Sequence, residues 1–456
     1  MLVPARFFAA ETMLPNILHD ASLEQLVNVA TLPGIQQYAL SMPDIHQGYG
    51  FPIGGVAAMD CATGVISPGG IGYDINCGVR LLASTVKQRD AQKKIEKLAT
   101  DLHQAIPSGT GVGGKHPLLT HELEQLLTYG PSYLVQQGFG TQEDIEHCES
   151  NGYLPQANAS LISEHAKRRG ADQLGTLGSG NHFLEIQIVD EIYDQYAADV
   201  MGVQQDCLTV MIHCGSRGLG HQTCTDYVRI MTNKLEEWGL TLPDRQLACA
   251  PLQSKEGQEY FAAMAACANF AWSNRHMIAA DVKKIWERYF GAHSLHTVYD
   301  VAHNIGKLEK HLIQGVEKEL IVHRKGATRA FGPHNSEIPT KYQAIGQPVF
   351  IPGTMGTASY LLVGTEHAMD LSFGSCCHGA GRTLSRSQAK RTVNAPSLRK
   401  QLAQQGIILR CESNAELAEE APKAYKDIHN VVDVIVNAGI AKKVARVRPF
   451  AVIKGS

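Results

Sequence analysis

The side chains in this sequence best suited to chemistry are one carboxylate, one thiol and a set of histidines, each lying next to glycine. Asp74 and Cys77 stand three apart inside Gly69-Gly70-Ile71-Gly72-Tyr73-Asp74-Ile75-Asn76-Cys77-Gly78. In a tight turn or a first helical turn, that spacing aims a carboxylate and a thiolate at one point. A thiolate sulfur has enough lone pairs to bridge two cations. Read alone, the pair also fits an inert core cysteine. Three of the twenty histidines add weight to a metal site. His182 lies in Gly178-Ser179-Gly180-Asn181-His182, His213 precedes Cys214-Gly215-Ser216-Arg217-Gly218, and His303 precedes Asn304. His213 and His303 are expected at strand ends and His182 beside flexible glycine, where an imidazole is placed as a ligand would be. On donor type alone, thiolate plus imidazole points to zinc.

A second constellation is Ser372-Phe373-Gly374-Ser375-Cys376-Cys377-His378-Gly379-Ala380-Gly381-Arg382. Small residues around His378 leave room for a phosphate to approach the imidazole, and Arg382 can stabilise phosphoryl oxygens. A neutral imidazole attacks phosphorus readily, and the resulting P–N bond is still a reactive donor. A helix starting here would align Arg382, Arg386 and Lys390 on one face as a basic stripe for an RNA backbone, or as an ordinary solvated face. Pro352-Gly353-Thr354-Met355-Gly356-Thr357-Ala358-Ser359 offers hydroxyls and close backbone to a phosphate or base. Gly109-Thr110-Gly111-Val112-Gly113-Gly114-Lys115-His116 imitates a P-loop, but His116 stands where a magnesium-binding hydroxyl is needed and a helix end precedes it.

These groups need a scaffold that brings distant residues together. Apolar runs at 208–212, 297–301, 320–322 and 349–351 each stop at His213, His303, His323 or Pro352, as buried strands delivering loops do. Periodicity predicts helices over 88–105, 160–169, 255–289 and 414–437, the last broken at Pro422. The predicted class is α/β of mixed α+β character, one large catalytic domain over 1–456 with buried sheets flanked by helices. A peripheral helical insertion is expected at about 117–154. The apolar end Val452-Ile453-Lys454-Gly455 is expected to be packed, leaving Lys454 for a ligand.

Composition narrows the class. A chain of 456 residues, 44% hydrophobic, buries a large core, and its 43 glycines fall in short clusters between apolar runs. A net charge of −3 gives no global field for nucleic acid or membrane, so any polyanion needs a local groove. The 11 cysteines include no C-x-x-C pair, which argues against a disulfide framework and a zinc ribbon. With no secretory h-region and no run near the ~20 apolar residues of a bilayer span, the expected location is the cytoplasm.

Taken in order, residues 42–50 (Met42-Pro43-Asp44-Ile45-His46-Gln47-Gly48-Tyr49-Gly50), 74–80, 177–185, 212–222, 302–306, 323–333, 352–356, 378–382 and the terminal Lys454-Gly455 resemble the RtcB family of RNA ligases from end to end. The resemblance implies a GTP-dependent ligase joining RNA 2′,3′-cyclic phosphate or 3′-phosphate ends to 5′-hydroxyl ends, in tRNA splicing or RNA repair. It implies two manganese(II) ions, with Cys77 bridging both, Asp74 and His182 on one, and His213 and His303 on the other. His378 matches the histidine that takes GMP. The implied GTP contacts are Asn181, His182, Phe183, Leu184, Glu185, His303, Asn304, Pro352, Gly353, Thr354, Met355, Ser359, His378, Gly379, Ala380, Gly381 and, at the guanine, Lys454. Archease is an activating partner for some members, and nothing in the sequence demands more than a monomer. Two other classes share parts of this pattern: a two-metal phosphoesterase or nuclease without nucleotide, and a non-catalytic RNA-binding module.

Overall fold

In the computed structural model, which describes residues 1–455, two large sheets and two two-stranded pairs are packed with helices. The larger sheet has the order Pro348–Ile351, Ser359–Gly364, Ala441–Lys454, Phe183–Ile192, Cys207–Cys214, Gly78–Lys87, Leu295–Ala302, with the short Ile408–Arg410 parallel to the end of Ala441–Lys454. The other sheet runs Ala5–Phe7, Ala39–His46, Ile53–Asp60, Val316–Lys325, Asn304–Ile313. The strands of the larger sheet are almost all antiparallel, so ends and starts of alternate strands collect at one edge. Lys454 pairs with Phe183, Phe183 with His213, His213 with Val79, and Val79 with Val301. That single row gathers the ends of segments hundreds of residues apart. His303 sits where the chain leaves the larger sheet at Ala302 and enters the other at Asn304.

The long helix Lys255–Phe290 is the main support. Ser254 caps its N-terminus by accepting from the Gly257 N–H, and Gly291 at φ +90° ends it. Its alanine-rich middle, from Ala263 to Ala279, is buried throughout, which small side chains permit by close approach of sheet and helix. At about 25 cal/mol per Å², such burial is the main stabilising term of this layer. The segment 117–154 is helical, with Thr120–Tyr129 and Pro131–Gln136 packed on that long helix. Its Glu149 is fully buried and accepts from Lys307 Nζ at 3.0 Å.

The predicted elements hold with shifted bounds. The first helix splits into Gln88–Ala91 and Ile95–Ala105, and the second begins only at Glu164, where Ser163 supplies the cap. The break at Pro422 is present between Asn414–Glu419 and Ile428–Asn437. Two histidines expected just beyond strands lie inside them. His213 is within Cys207–Cys214, and His323 is within Val316–Lys325. His323 is a core residue: it accepts the Ser67 N–H at 3.1 Å, stacks on Phe51 and is held neutral by burial, its pKa lowered to about 4. The false P-loop is a loop after Ile95–Ala105, with Lys115 folded back to donate to Gln104 O. No helix among the described residues is long and apolar enough to cross a membrane.

Candidate metal and nucleotidyl-transfer centre

The edge row brings two candidate ligand groups around one sulfur. Cys77, His213 and His303 form one, Asp74, Cys77 and His182 the other, with the donor atoms in each within 4.8 Å of one another. Cys77 Sγ lies 3.4 Å from His182 Nε2 and 3.3 Å from His213 Nε2, and the Nε2 atoms of His213 and His303 are 3.3 Å apart. His182 Nε2 is 2.8 Å from Asp74 Oδ2. The register explains the closeness: Gly78 pairs with Ala302, and the His303 N–H donates to Cys77 O at 2.9 Å. Gly215 is required beside Asp74, because a Cβ there would lie 2.4 Å from the carboxylate.

The electrostatics differ between the two groups. Burial, with the neighbouring positive charges of other histidines, holds His213 and His303 far below the usual imidazole range and hence neutral. Burial alone would do the same to His182, but Cys214, Cys77 and Asp74 outweigh it and raise that imidazole well above its ordinary value. Partial burial alone would raise Asp74, yet His182 and Arg217 draw its carboxyl well below the carboxylate range. Burial, reinforced by Asp74, pushes the Cys77 thiol up to about 12. A cation would displace both the thiol proton and the His182 proton. Donor chemistry fits such a cation: the Nε2 atoms of two neutral imidazoles face each other at 3.3 Å, neither ring's Nδ1 has a hydrogen-bond partner, and the thiol is shared. The His182 Nδ1 atom lies 3.0 Å from Leu177 O, which fixes the ring with Nε2 toward the cluster.

His378 stands next to this cluster, its ring centroid 4.9 Å from that of His303. The short strand Ser375–Cys377 delivers it, paired to Ala327–Arg329, and the Ala327 N–H donates to His303 O. His378 Nδ1 lies 2.6 Å from Asp44 Oδ2, which also accepts the His378 backbone N–H at 3.1 Å. With Nδ1 donating to the carboxylate, Nε2 keeps its lone pair. Asp44 is fully buried and was not singled out from the sequence. Its signal was present in the Met42-Pro43-Asp44-Ile45-His46 segment.

His378 lies between two clefts. One, of about 920 Å³, is lined by His46, Gly353, His378, Gly379, Ala380, Gly381 and Arg382 among others, and also by Pro352. The other, of about 810 Å³, contains Asp74, Cys77, His182, His213, His303, Asn304, Arg217 and Arg386. Asn181 lines both. A small adjoining pocket gathers Asn181, Phe183, Glu185, Gly353, Thr354, Met355 and Lys454, along with Glu420 and Tyr425, which the sequence reading missed. Burial raises Glu185 to about 8, against the lowering effect of Gln187 and Lys454. Ser359 Oγ accepts from the Gly353 N–H at 3.0 Å and so shapes that loop. Leu184 alternates to the other face of its strand and packs in the core.

The basic stripe needs correction. Its helix is Arg386–Thr392, capped by Ser385, so Arg382 lies before it rather than on the same face. Arg382 stacks on Tyr425 and pairs with Glu420, whereas Arg386 and Lys390 share Glu419.

The family model for the tRNA-splicing ligase RtcB matches residues 25–455. Curated proteins named tRNA-splicing ligase RtcB are similar over the full length. The one from Archaeoglobus fulgidus is 51% identical over 100% of this chain and 95% of its own, and that from Methanococcus maripaludis 50% over the same shares. The Pyrobaculum aerophilum protein is 51% identical over 99% of this chain and 95% of its own. With an adjoining pair of ligand groups, a histidine held by a buried aspartate beside them, and matches of this extent, the chain belongs to the RtcB family of tRNA-splicing ligases.

Proposed function

We propose that this protein is a cytoplasmic RNA ligase that uses GTP and a pair of manganese(II) ions to join RNA 2′,3′-cyclic phosphate or 3′-phosphate ends to 5′-hydroxyl ends. The observation that carries this reading is the sharing of Cys77 between two ligand groups in contact with a histidine whose Nδ1 is held by Asp44. A two-metal hydrolase has no use for that third element. The harder Asp74 carboxylate and the substrate phosphate oxygens balance the soft thiolate, which suits manganese. When bound, the ions supply charge neutralisation to phosphoryl oxygens.

Water first opens the cyclic phosphate by breaking its P–O2′ bond, leaving a 3′-phosphate. The His378 Nε2 lone pair then attacks the α-phosphorus of GTP; a P–N bond forms and pyrophosphate leaves with the electrons of the P–O bond. Asp44 accepts the Nδ1–H throughout and stabilises the positive charge growing on the ring. The RNA 3′-phosphate oxygen next attacks the same phosphorus, the P–N bond breaks and neutral His378 is restored. The 5′-hydroxyl oxygen attacks the RNA-side phosphorus of this anhydride, loses its proton to solvent, and GMP leaves. Lys454 and Glu185 bracket the pocket assigned to guanine, and Arg217 and Arg386 face the cleft assigned to RNA.

The test is covalent labelling with α-phosphate-labelled GTP and manganese(II), read on a denaturing gel. Wild type is expected to carry acid-labile label and His378→Ala none. Label that persists in His378→Ala overturns the assignment.

A further inference from the structure

Two neighbouring residues in the middle of the long helix, Asn274 and Arg275, are fully buried and polar where the helix itself requires only small apolar side chains. Arg275 donates from Nη1 to the carbonyls of Asn76 at 2.7 Å and Cys214 at 2.8 Å. Its Nη2 donates to Asn76 Oδ1 and Asp300 Oδ1, and its Nε to the Asp300 carboxylate. All the N–H groups of the guanidinium are therefore satisfied, which is the condition for burying one without a large penalty. Asn76 precedes Cys77, Cys214 follows His213, and Asp300 lies on the strand Leu295–Ala302, which leads directly into His303. One side chain thus ties together the three segments that supply one ligand group.

Asn274 does the same for the other. Its Oδ1 accepts the N–H groups of Gly175 at 2.8 Å and Thr176 at 3.2 Å, and its Nδ2 donates to Thr176 O and Gly215 O, with Cys214 Sγ also 3.2 Å away as a contact toward the His213 segment. The next residue, Leu177, offers the carbonyl that orients His182, and Gly215 packs against the Asp74 carboxylate. Neither Asn274 nor Arg275 hydrogen-bonds to a ligand donor atom.

We infer that Arg275 and Asn274 are positioning residues that set the two halves of the cation centre separately: Arg275 the Cys77–His213–His303 half, and Asn274 the Asp74–Cys77–His182 half. The inference rests on the reading of these groups as metal ligands. A lysine keeps the charge opposite Asp300 but cannot reproduce the fork that reaches two carbonyls and a carboxylate at once.

Calorimetric titration of the metal-free full chain with manganese(II) chloride tests it, with His213→Ala and His182→Ala as references for loss of each half and Ser273→Ala as a control on the same helix. Arg275→Lys is expected to weaken, roughly ten- to a hundredfold, the binding step that His213→Ala removes, and Asn274→Ala the step that His182→Ala removes. Ser273→Ala should bind as wild type. Thermal unfolding in excess chelator establishes that each variant is folded. Should Arg275→Lys fail there, Asn76→Gly replaces it, since it removes one Arg275 acceptor at a residue whose φ is already +51°. Equal weakening of both steps in both variants, or no change in either, overturns the inference. Reference variants that bind manganese as wild type does would instead overturn the metal-centre reading beneath it.

Discussion

Two histidine–aspartate pairs stand within one ring contact of the same cluster, and they are connected through opposite nitrogens. In His378–Asp44 the carboxylate sits at Nδ1, 2.6 Å away, so Nε2 stays outside the pair. In His182–Asp74 the carboxylate sits at Nε2, 2.8 Å away, and Leu177 O occupies the Nδ1 side. The first arrangement leaves a lone pair for attack and a carboxylate to steady the resulting positive charge. The second aims imidazole, carboxylate and the Cys77 sulfur at a common point, the geometry of ligands around a cation. On the proposed reading the same two residue types serve as a nucleophile and as a ligand set, according to which ring nitrogen faces the acid.

The sharpest way to break this contrast is to neutralise each aspartate in turn. Asp44→Asn removes the charge behind Nδ1 and is expected to lower the rate of histidine labelling by GTP by roughly 10²- to 10⁴-fold at every manganese concentration. Asp74→Asn is expected to lower it as well, but through metal affinity, so labelling returns as manganese(II) is raised. Rate against manganese concentration separates the two. Rescue of Asp44→Asn by manganese would place Asp44 in the metal centre and collapse the distinction.

Glu185 extends the contrast to a carboxyl with no imidazole beside it. Burial raises it from 4.5 to about 8, so between those values the folded chain holds a proton that the unfolded chain has released. Stability must then fall as pH rises through that window, at up to ~1.4 kcal/mol per pH unit from this group. Glu185→Gln removes this contribution. Denaturation midpoints of variant and wild type should converge near pH 4.5 and separate toward pH 8, with the variant the more stable by a few kcal/mol on the scale of that slope. Because Glu185 lines the pocket with Lys454, the variant should also bind GTP more weakly. A constant difference across pH would show that Glu185 is ionised in the folded protein.

The cluster of Asp74, Cys77 and the three histidines was legible because these residues interrupt strong local patterns. His303 ends an apolar run, His213 closes one, and Cys77 opens another beside glycine. Strand ends were readable; which strands neighbour one another was not, since pairing is set by contacts far apart in sequence. Asp44 illustrates the loss: its partner His378 is 334 residues away, and no local pattern joins them. Asn274 and Arg275 were hidden differently, inside a helix whose alanine spacing announces scaffold. The misplacement of Arg382 has a local cause. Gly381 at φ +74° keeps the chain out of helical conformation until the Ser385 capping box starts the helix four residues later.

That late start leaves the smallest effect to be measured, and it concerns partner choice again. Arg217 lies 3.1 Å from His182 Nδ1, beside the Asp74–Cys77–His182 group. Arg386 is 61% exposed at the same cleft and engaged by Glu419, which Lys390 shares. Only the Arg386 end of this pair is open to solvent, Glu419 being buried, so an RNA phosphate can reach the guanidinium but must compete with a desolvated carboxylate. Arg386→Ala should therefore weaken RNA binding and flatten its dependence on log salt by less than the ~0.7 to 0.9 expected for a free cation. Glu419→Ala should do the reverse, tightening binding and steepening the slope, while leaving histidine labelling by GTP unchanged. If both variants bind RNA as wild type does across salt, the helix Arg386–Thr392 is a solvated face, and the cleft's cationic grip reduces to Arg217 beside His182.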